Sequence, residues 1–583
     1  MNNDIRTRNF ITQGSILAIT GIICRIIGML YRIPLIDVIG TQGNGYYTSA
    51  YSIYNILLIL SSYSLPTAIS KIISVRLAKD RFDDVRTVLR VAFLYATVIG
   101  GAMCFVMYYG SIPLAAFMEK PFCEYVLKTL APTIWIMAYL GVLRGYFQGS
   151  GNMVPTAVSQ ILEQIVNAFV SIVMAIMLFD YGTKANLIYN ETEYSYAYGA
   201  AGGTIGTGAG ALVALLFFIL MLLLYGRLPK GNGYTVRRSR GVSASRGRSR
   251  AAYAAAAYGD NVSGRSERKK ESVGHIGSTL ILTLLPILIS STVYNISTVL
   301  DDFIFSRMMA SFGLAANVVF LWGVFGEYRI LFNIPVAMAN SISSSVIPSL
   351  TNAAAERNRK LVVKKIKLSI QFVMLFSLPA AAGLFALAGP VCDLLFAGND
   401  NSVLINVLRV GCPAIVLFSL STITNGILQG LGYLSAPLKN SFVALIVHVA
   451  ALIGIITVTR DIYSVILANT IFAAIVCLLN SRCMHKHVRF RINAFRTYVV
   501  PLIASVIMGA AVYGISMLLG RILPESIAAG RIGLGIIVGI CILIGVPAYF
   551  ALLIQMRAFT KDELIEMPMG LRLYRFVHRL GLM

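Results

Sequence analysis

Arg25 and Arg32 lie in FITQGSILAITGIICRIIGMLYRIPLI (residues 10–36), an apolar run long enough to cross a bilayer as a helix. An arginine at the centre of such a helix costs about 3 kcal/mol on insertion scales, so it ordinarily faces a wet cavity or a partner. Arg32, nearer one end, has the alternative of reaching the head groups. A third span arginine, Arg329, follows Glu327 in WGVFGEYRILFNIP. The guanidinium fork matches two phosphate oxygens at once, so Arg25, Arg32 and Arg329 on one cavity would suit a phosphate-bearing ligand. Carboxylates are few: Asp301 and Asp302 in the span that corresponds to the first, Glu163 in SQILEQIVNAF, and Glu327. These four, with Gln148, are the candidates for gating or coupling. Each has a plainer alternative: Asp301 and Asp302 at a helix end beside Arg307, Glu327 as a local pair with Arg329, Glu163 hydrogen-bonded to a neighbouring helix.

The elements that must position these groups are set by composition. Of 583 residues, 57% are hydrophobic and 13% charged, and mean hydropathy is +0.75. This excludes an ordinary soluble enzyme and predicts an all-α polytopic membrane protein with about fourteen spans. The opening MNNDIRTRNF is polar and shows no cleavable signal pattern. Formal net charge is +24, and the basic loops Lys71 to Arg90, Arg357 to Lys367 and Arg482 to Arg496 fall on one side of the predicted spans. By the positive-inside rule that side is cytoplasmic, with both termini there. The Arg/Ser-rich stretch RRSRGVSASRGRSRAAYAAAAYGD has no apolar face and reads as a basic flexible linker; nucleic acid is not expected as a partner. Eight cysteines without a CxxC pair and five scattered histidines give no metal-site spacing.

The chain repeats itself. Gly145-Tyr-Phe-Gln148-Gly149-Ser-Gly151 recurs as Gly426-Ile-Leu-Gln429-Gly430-Leu-Gly432, and Pro66 and Pro132 recur as Pro348 and Pro413, all at an offset of about 281 residues. Two six-helix lobes are therefore expected, 1–226 and 276–482, joined by the linker 227–275 and followed by two further helices and a tail over 483–583. Such repeats place a site at their interface near the midplane. Gly202, Gly206 and Gly210, four apart in GAAGGTIGTGAGALV, predict close helix packing.

CRIIGMLYR, LRGYFQGSGNMVPTAVSQILEQIVN, GAAGGTIGTGAGA and RILFNIPVAMANSISSSVIPSL resemble the multidrug/oligosaccharidyl-lipid/polysaccharide exporter superfamily, in its branch of MurJ-type lipid II flippases and stage V sporulation protein B. The family's Arg-x-x-Gly motif maps onto Arg25 and Gly28; its other two arginines fall at Arg32 and Arg329 with a one-residue shift. A further arginine of MurJ proteins in the second span is missing from NILLILSSYSLP, which draws the chain toward the sporulation branch. The resemblance implies a MATE/MurJ-like fold and a flippase, not an enzyme. It implies an undecaprenyl-diphosphate-linked cell-wall precursor as substrate, with lipid II foremost, moved by alternating access across the bacterial cytoplasmic membrane. The three arginines would hold the diphosphate. No cofactor is implied beyond coupling to the membrane potential or a monovalent ion. A monomer is expected, with membrane lipids around it and contact with the cell-wall synthesis machinery. Open alternatives are a flippase for teichoic-acid or capsular-polysaccharide lipid intermediates, a drug/cation antiporter, and a membrane-embedded glycosyltransferase.

Overall fold

Backbone polar groups find no partner in hydrocarbon, so an apolar segment that crosses it must satisfy them internally, as a helix does. The computed structural model describes residues 16–17, 19–78, 81–224, 271–397, 399–524, 530–556 and 558. Most of the linker, including its Arg/Ser-rich stretch, and the C-terminal tail lie outside the described residues. Every regular element described is helical. Twelve helices among the described residues are long and apolar enough to span a membrane. With the shorter apolar stretches Ile19–Leu30 and Val273–Leu285 they account for the expected spans.

In chain order the N-terminal lobe holds α1 (Ile19–Leu30), α2 (Arg32–Leu77), α3 (Phe82–Tyr109), α4 (Cys123–Gly149), α5 (Val154–Tyr189) and α6 (Glu193–Leu224). The C-terminal lobe holds α7 (Val273–Ser311), α8 (Val318–Ala355), α9 (Arg359–Ala386), α10 (Ser402–Gly430), α11 (Ser435–Thr459) and α12 (Tyr463–Val488). The last two, α13 (Phe495–Ile522) and α14 (Arg531–Gln555), pack with α9 through Leu375, Ala504, Met508, Val512 and Cys541.

The first span extends further than its hydropathy suggests. The helical path continues from α1 through Tyr31 into α2 and breaks at Gly40, where φ is +67°, a conformation that glycine adopts without penalty. The true first crossing therefore ends at Ile39, and Arg32 sits well inside it.

The repeated motif has a local physical meaning. Gly151 N–H donates to the Gln148 carbonyl and Asn152 N–H to Phe147; Gly432 and Tyr433 repeat the pattern on Gln429 and Leu428. Both glycines have left-handed φ, +82° and +90°. These are matching Schellman caps that end α4 and α10. Gly145 and Gly149 pack α4 against Ile69 and Ile73, as Gly430 packs α10 against Ile347 and Leu350. The glycine stripe of α6 lies where expected: a side chain at Gly202, Gly206 or Gly210 would meet Met174, Ser171 or Glu163 of α5.

α7 belongs to both lobes. Ile276, Leu280 and Leu284 pack with Leu65, Ile69 and Leu89 of the N-terminal lobe. Phe305 and Met309 pack with Val318, Trp322 and Phe396 of the other.

Candidate functional site: the cavity between the lobes

Two adjoining chambers, which share Arg32, Ile330 and Asn333 as wall, lie between the lobes. The narrow one, about 290 Å³, is walled by Thr48, Tyr51, Ser52 and Asn55 of α2, Asn295 and Thr298 of α7, and Arg329 and Asn333 of α8. Arg32 lines it too, and with Ile330 and Asn333 it also lines the wider chamber, about 820 Å³. There Arg25, Gly28, Asn340 and Ser341 supply polar surface among Ile22, Ile26, Ile334, Met338, Phe372 and Phe376. Among the described residues no acid lines either chamber. The structure thus brings the three span arginines to two adjoining chambers walled by both lobes, with Arg32 lining both.

Arg32 is held by aromatic rings rather than by a carboxylate. Its guanidinium lies 4.6 Å from the Tyr47 ring centre and 5.7 Å from that of Tyr51. Tyr47 is fixed in turn by stacking on Tyr51 at 5.2 Å and by a 3.4 Å contact with the Tyr31 hydroxyl, to which Asn167 donates. Arg329 stands 5.9 Å from the Phe325 ring. Neither Arg25, Arg32 nor Arg329 has a carboxylate partner among the described residues, so their charge is available to a ligand. Reach to the head groups does not describe Arg32.

The carboxylates are elsewhere. Asp302 receives Lys120 Nζ at 2.5 Å, with both side chains fully buried. Lys120 also donates to Ser49 Oγ at 2.7 Å and lies 4.9 Å from the Trp322 ring. Asp301 pairs with His448 Nε2 at 2.5 Å and accepts from Asn469 at 3.0 Å, tying α7 to α11 and α12. Glu163 pairs with Arg144 at 2.6 Å. Glu327 is buried at the α2–α8 seam, one of its oxygens without a partner among the described residues; it forms no ion pair with Arg329. Arg307 bonds Glu119 at 2.6 Å rather than flanking the aspartates. Gln148 sits in the last turn of α4 and lines neither chamber. Among the described residues no cluster of three His, Cys, Asp or Glu side chains could hold a metal, and all eight cysteines are free.

The lobes meet closely at the end of the molecule marked by Gly40. Asn44 Nδ2 donates to the Gly323 carbonyl at 2.8 Å, and Phe117 and Phe303 stack at 3.9 Å. The buried Lys120–Asp302 pair crosses the same seam. A Cβ on Gly323 would fall on the Thr41 carbonyl. Gly323→Leu should therefore keep this end from closing, at about 1–3 kcal/mol of overpacking. In a cysteine-free background, Thr48→Cys should then gain reactivity toward a membrane-impermeant thiol reagent. Unchanged reactivity would show that the seam is not a closing surface.

Sequence reasoning missed two things. Thr48, Ser52 and Asn55 recur at helical spacing within an uncharged span, a signal that was present. Lys120 carried none: it sits in a short connection, and only the packing of the lobes buries it.

Two six-helix lobes around a cavity lined by three arginines define a polytopic helical membrane protein. The model for a family described as "Polysaccharide biosynthesis protein" matches residues 11–218. Three relatives from Bacillus subtilis (strain 168) match over nearly the whole chain. Uncharacterized membrane protein YabM is 25% identical, over 98% of this chain and 97% of its own length. Lipid II flippase MurJ is 24% identical, over 92% and 93%. Stage V sporulation protein B is 22% identical, over 96% and 98%. Among solved structures, lipid II flippase MurJ in an inward closed conformation aligns with TM-score 0.61 at 14% identity, over 94% of this chain and 99% of that one. An inward-facing MATE family transporter of the MOP superfamily gives 0.58 at 16%, over 81% and 99%. The resemblance read from the motifs is thereby borne out, and the chain is a multi-pass bacterial membrane protein of MurJ/MATE-like fold.

Proposed function

We propose that this protein is a flippase that carries an undecaprenyl-diphosphate-linked cell-wall precursor, lipid II in the first instance, from the inner to the outer leaflet. The observation that carries the reading is the pair Arg32 and Arg329, presented by opposite lobes to one chamber with no acid among its described wall residues. Guanidinium groups without internal counter-charges suit a diphosphate. The amides and hydroxyls of Asn55, Asn295, Thr298 and Asn333 suit sugar hydroxyls, and the apolar wall of the wider chamber gives a lipid-compatible route outward. A cation carrier would meet repulsion in the same space.

Transport proceeds by alternating access. In this conformation the lobes are joined at the Gly40 end, and the wider chamber lies toward the other. With the N-terminus cytoplasmic, that chamber accepts substrate from the inside. Each elementary charge moved through the field contributes about 2.3 kcal/mol per 100 mV, enough to couple the cycle to the membrane potential. The test is translocation of lipid II in cells depleted of their native flippase. The polysaccharide description of the family match supports a second substrate class, lipid-linked teichoic or capsular intermediates; if lipid II is not moved, these are the next substrates to assay.

Orientation has its own test. Single cysteines placed in the 227–275 linker should label only after the membrane is permeabilised. Labelling in intact cells would reverse the direction of transport proposed above.

A further inference from the structure

A separate, smaller cavity of about 190 Å³ opens where the α8–α9 turn meets the end of α12, lined by Ala354, Arg357, Arg359, Val362, His487 and Val488. Half of that lining is basic and none of it acidic. The nearest acid in the chain, Glu356, is exposed and outside the lining.

Two of the three basic groups, Arg359 and His487, are placed rather than loose. Arg359 Nη2 donates to the carbonyls of Val488 at 3.1 Å and Arg489 at 3.4 Å, which orients the remainder of its fork. His487 Nδ1 lies 2.8 Å from the Cys483 carbonyl and must donate to it, so Nε2 is left for another partner. Its ring centre lies 4.1 Å from that of Tyr433. The first turn of α9, capped by Asn358, adds N–H groups and the positive end of its dipole.

Backbone conformation gives an independent sign. Arg357, which lines the cavity, and Arg489, whose carbonyl accepts from Arg359, follow α8 and α12 with φ of +53° and +46°. After α4 and α10 the chain places glycine in the corresponding left-handed position, as helices usually do. At these two helix ends, as at Arg460 after α11, it places arginine instead, and non-glycine residues held in this region mark functional positions more often than chance. Attraction of a cation to a helix C-terminus accounts for either arginine alone; it does not account for a cavity that Arg357 shares with Arg359 and His487.

We infer that this pocket binds a phosphate group, with Arg357, Arg359 and His487 as its ligands. Two sources share that chemistry: the phosphodiester of an anionic phospholipid and soluble phosphate. Binding would pin the α8–α9 turn to the end of α12. Because α8 and α9 also wall the wider chamber, occupancy would stiffen that wall. The inference does not depend on the flippase reading.

The test uses the full chain in nanodiscs, reading the thermal midpoint. Phosphatidylcholine discs are compared with discs containing phosphatidylglycerol, and with phosphatidylcholine discs plus millimolar inorganic phosphate. A rise of several degrees with phosphatidylglycerol alone identifies the headgroup; a rise with inorganic phosphate as well identifies phosphate in general. Arg357→Gln with Arg359→Gln should lose most of the rise, whereas Arg90→Gln with Arg496→Gln, which removes the same charge elsewhere, should keep it. Arg357→Gly separates ligand from fold: without added anion it should be at least as stable as wild type, since glycine relaxes the backbone, yet its rise should shrink. No rise with either anion, an undiminished rise in the double variant or in Arg357→Gly, or equal loss in the charge-matched control would overturn the inference.

Discussion

Arg32→Ala is expected to abolish translocation of the lipid-linked precursor while the protein still inserts and folds. Arg32 lines both chambers, so the diphosphate proposed as its ligand would meet it in either one. Losing a hydrogen bond to a charged group costs about 1.5–3 kcal/mol, or roughly 10- to 100-fold in affinity. Loss of transport should exceed loss of binding if the contact tightens as the lobes close. Folding should change little, because Arg32 has no carboxylate to leave stranded and its stacking on Tyr47 is worth about 0.5–2 kcal/mol. Arg32→Lys should rescue in part, keeping charge without the two-point fork. Arg25→Ala, at the exposed wall of the wider chamber, should likewise stop flipping with folding unharmed. Precursor binding, compared with that of an uncharged lipid analogue, separates a binding defect from a general one. Full transport by both alanine variants would remove the arginines from the mechanism.

The second large effect concerns the Lys120–Asp302 pair. Lys120→Ala should destabilise the protein by about 3–5 kcal/mol, the cost of stranding a buried carboxylate. Lys120→Met with Asp302→Leu, which removes both charges, should recover most of that loss, because a well-packed apolar pair can replace a buried ion pair. Arg307→Ala breaks the Glu119 bond in the same region, but its side chain is half exposed, so about 1 kcal/mol or less is expected. Thermal or denaturant unfolding in detergent ranks the three variants. A double variant as unstable as Lys120→Ala would mean that the pair is needed for its polarity and not merely for charge balance.

What could be read from sequence follows from the range of the interaction concerned. Span positions and the glycine stripe of α6 depend on residues within one or two turns, and periodicity reports them. The repeat was legible because Gly151 and Gly432 end helices by the same cap. The partners of the buried charges were not. Asp301 meets His448, Asp302 meets Lys120 and Glu163 meets Arg144 only once the helices have settled in register, and hydropathy is silent on register. The first span was read to Ile36, and the helix runs on through Asp37 to Ile39 because only Gly40 interrupts it. Arg25, Arg32 and Arg329 were legible as anomalies of composition; that they line adjoining chambers depends on the crossing of α2 and α8 through Gly45 and Gly323.

The divided allegiance of α7 bears on how the chain can be taken apart. A break anywhere in the 227–275 stretch leaves the second fragment beginning with a helix whose first half has its apolar partners on the first fragment. Residues 1–226 made alone would expose the groove formed by Leu65, Ile69 and Leu89, while 276–583 would carry Ile276, Leu280 and Leu284 as the strip that fills it. Co-expressed, the two fragments should find each other through that strip and reconstitute one particle. The covalent linker would then be dispensable for assembly, and the recognition element that makes the halves a single protein would be the opening turns of α7.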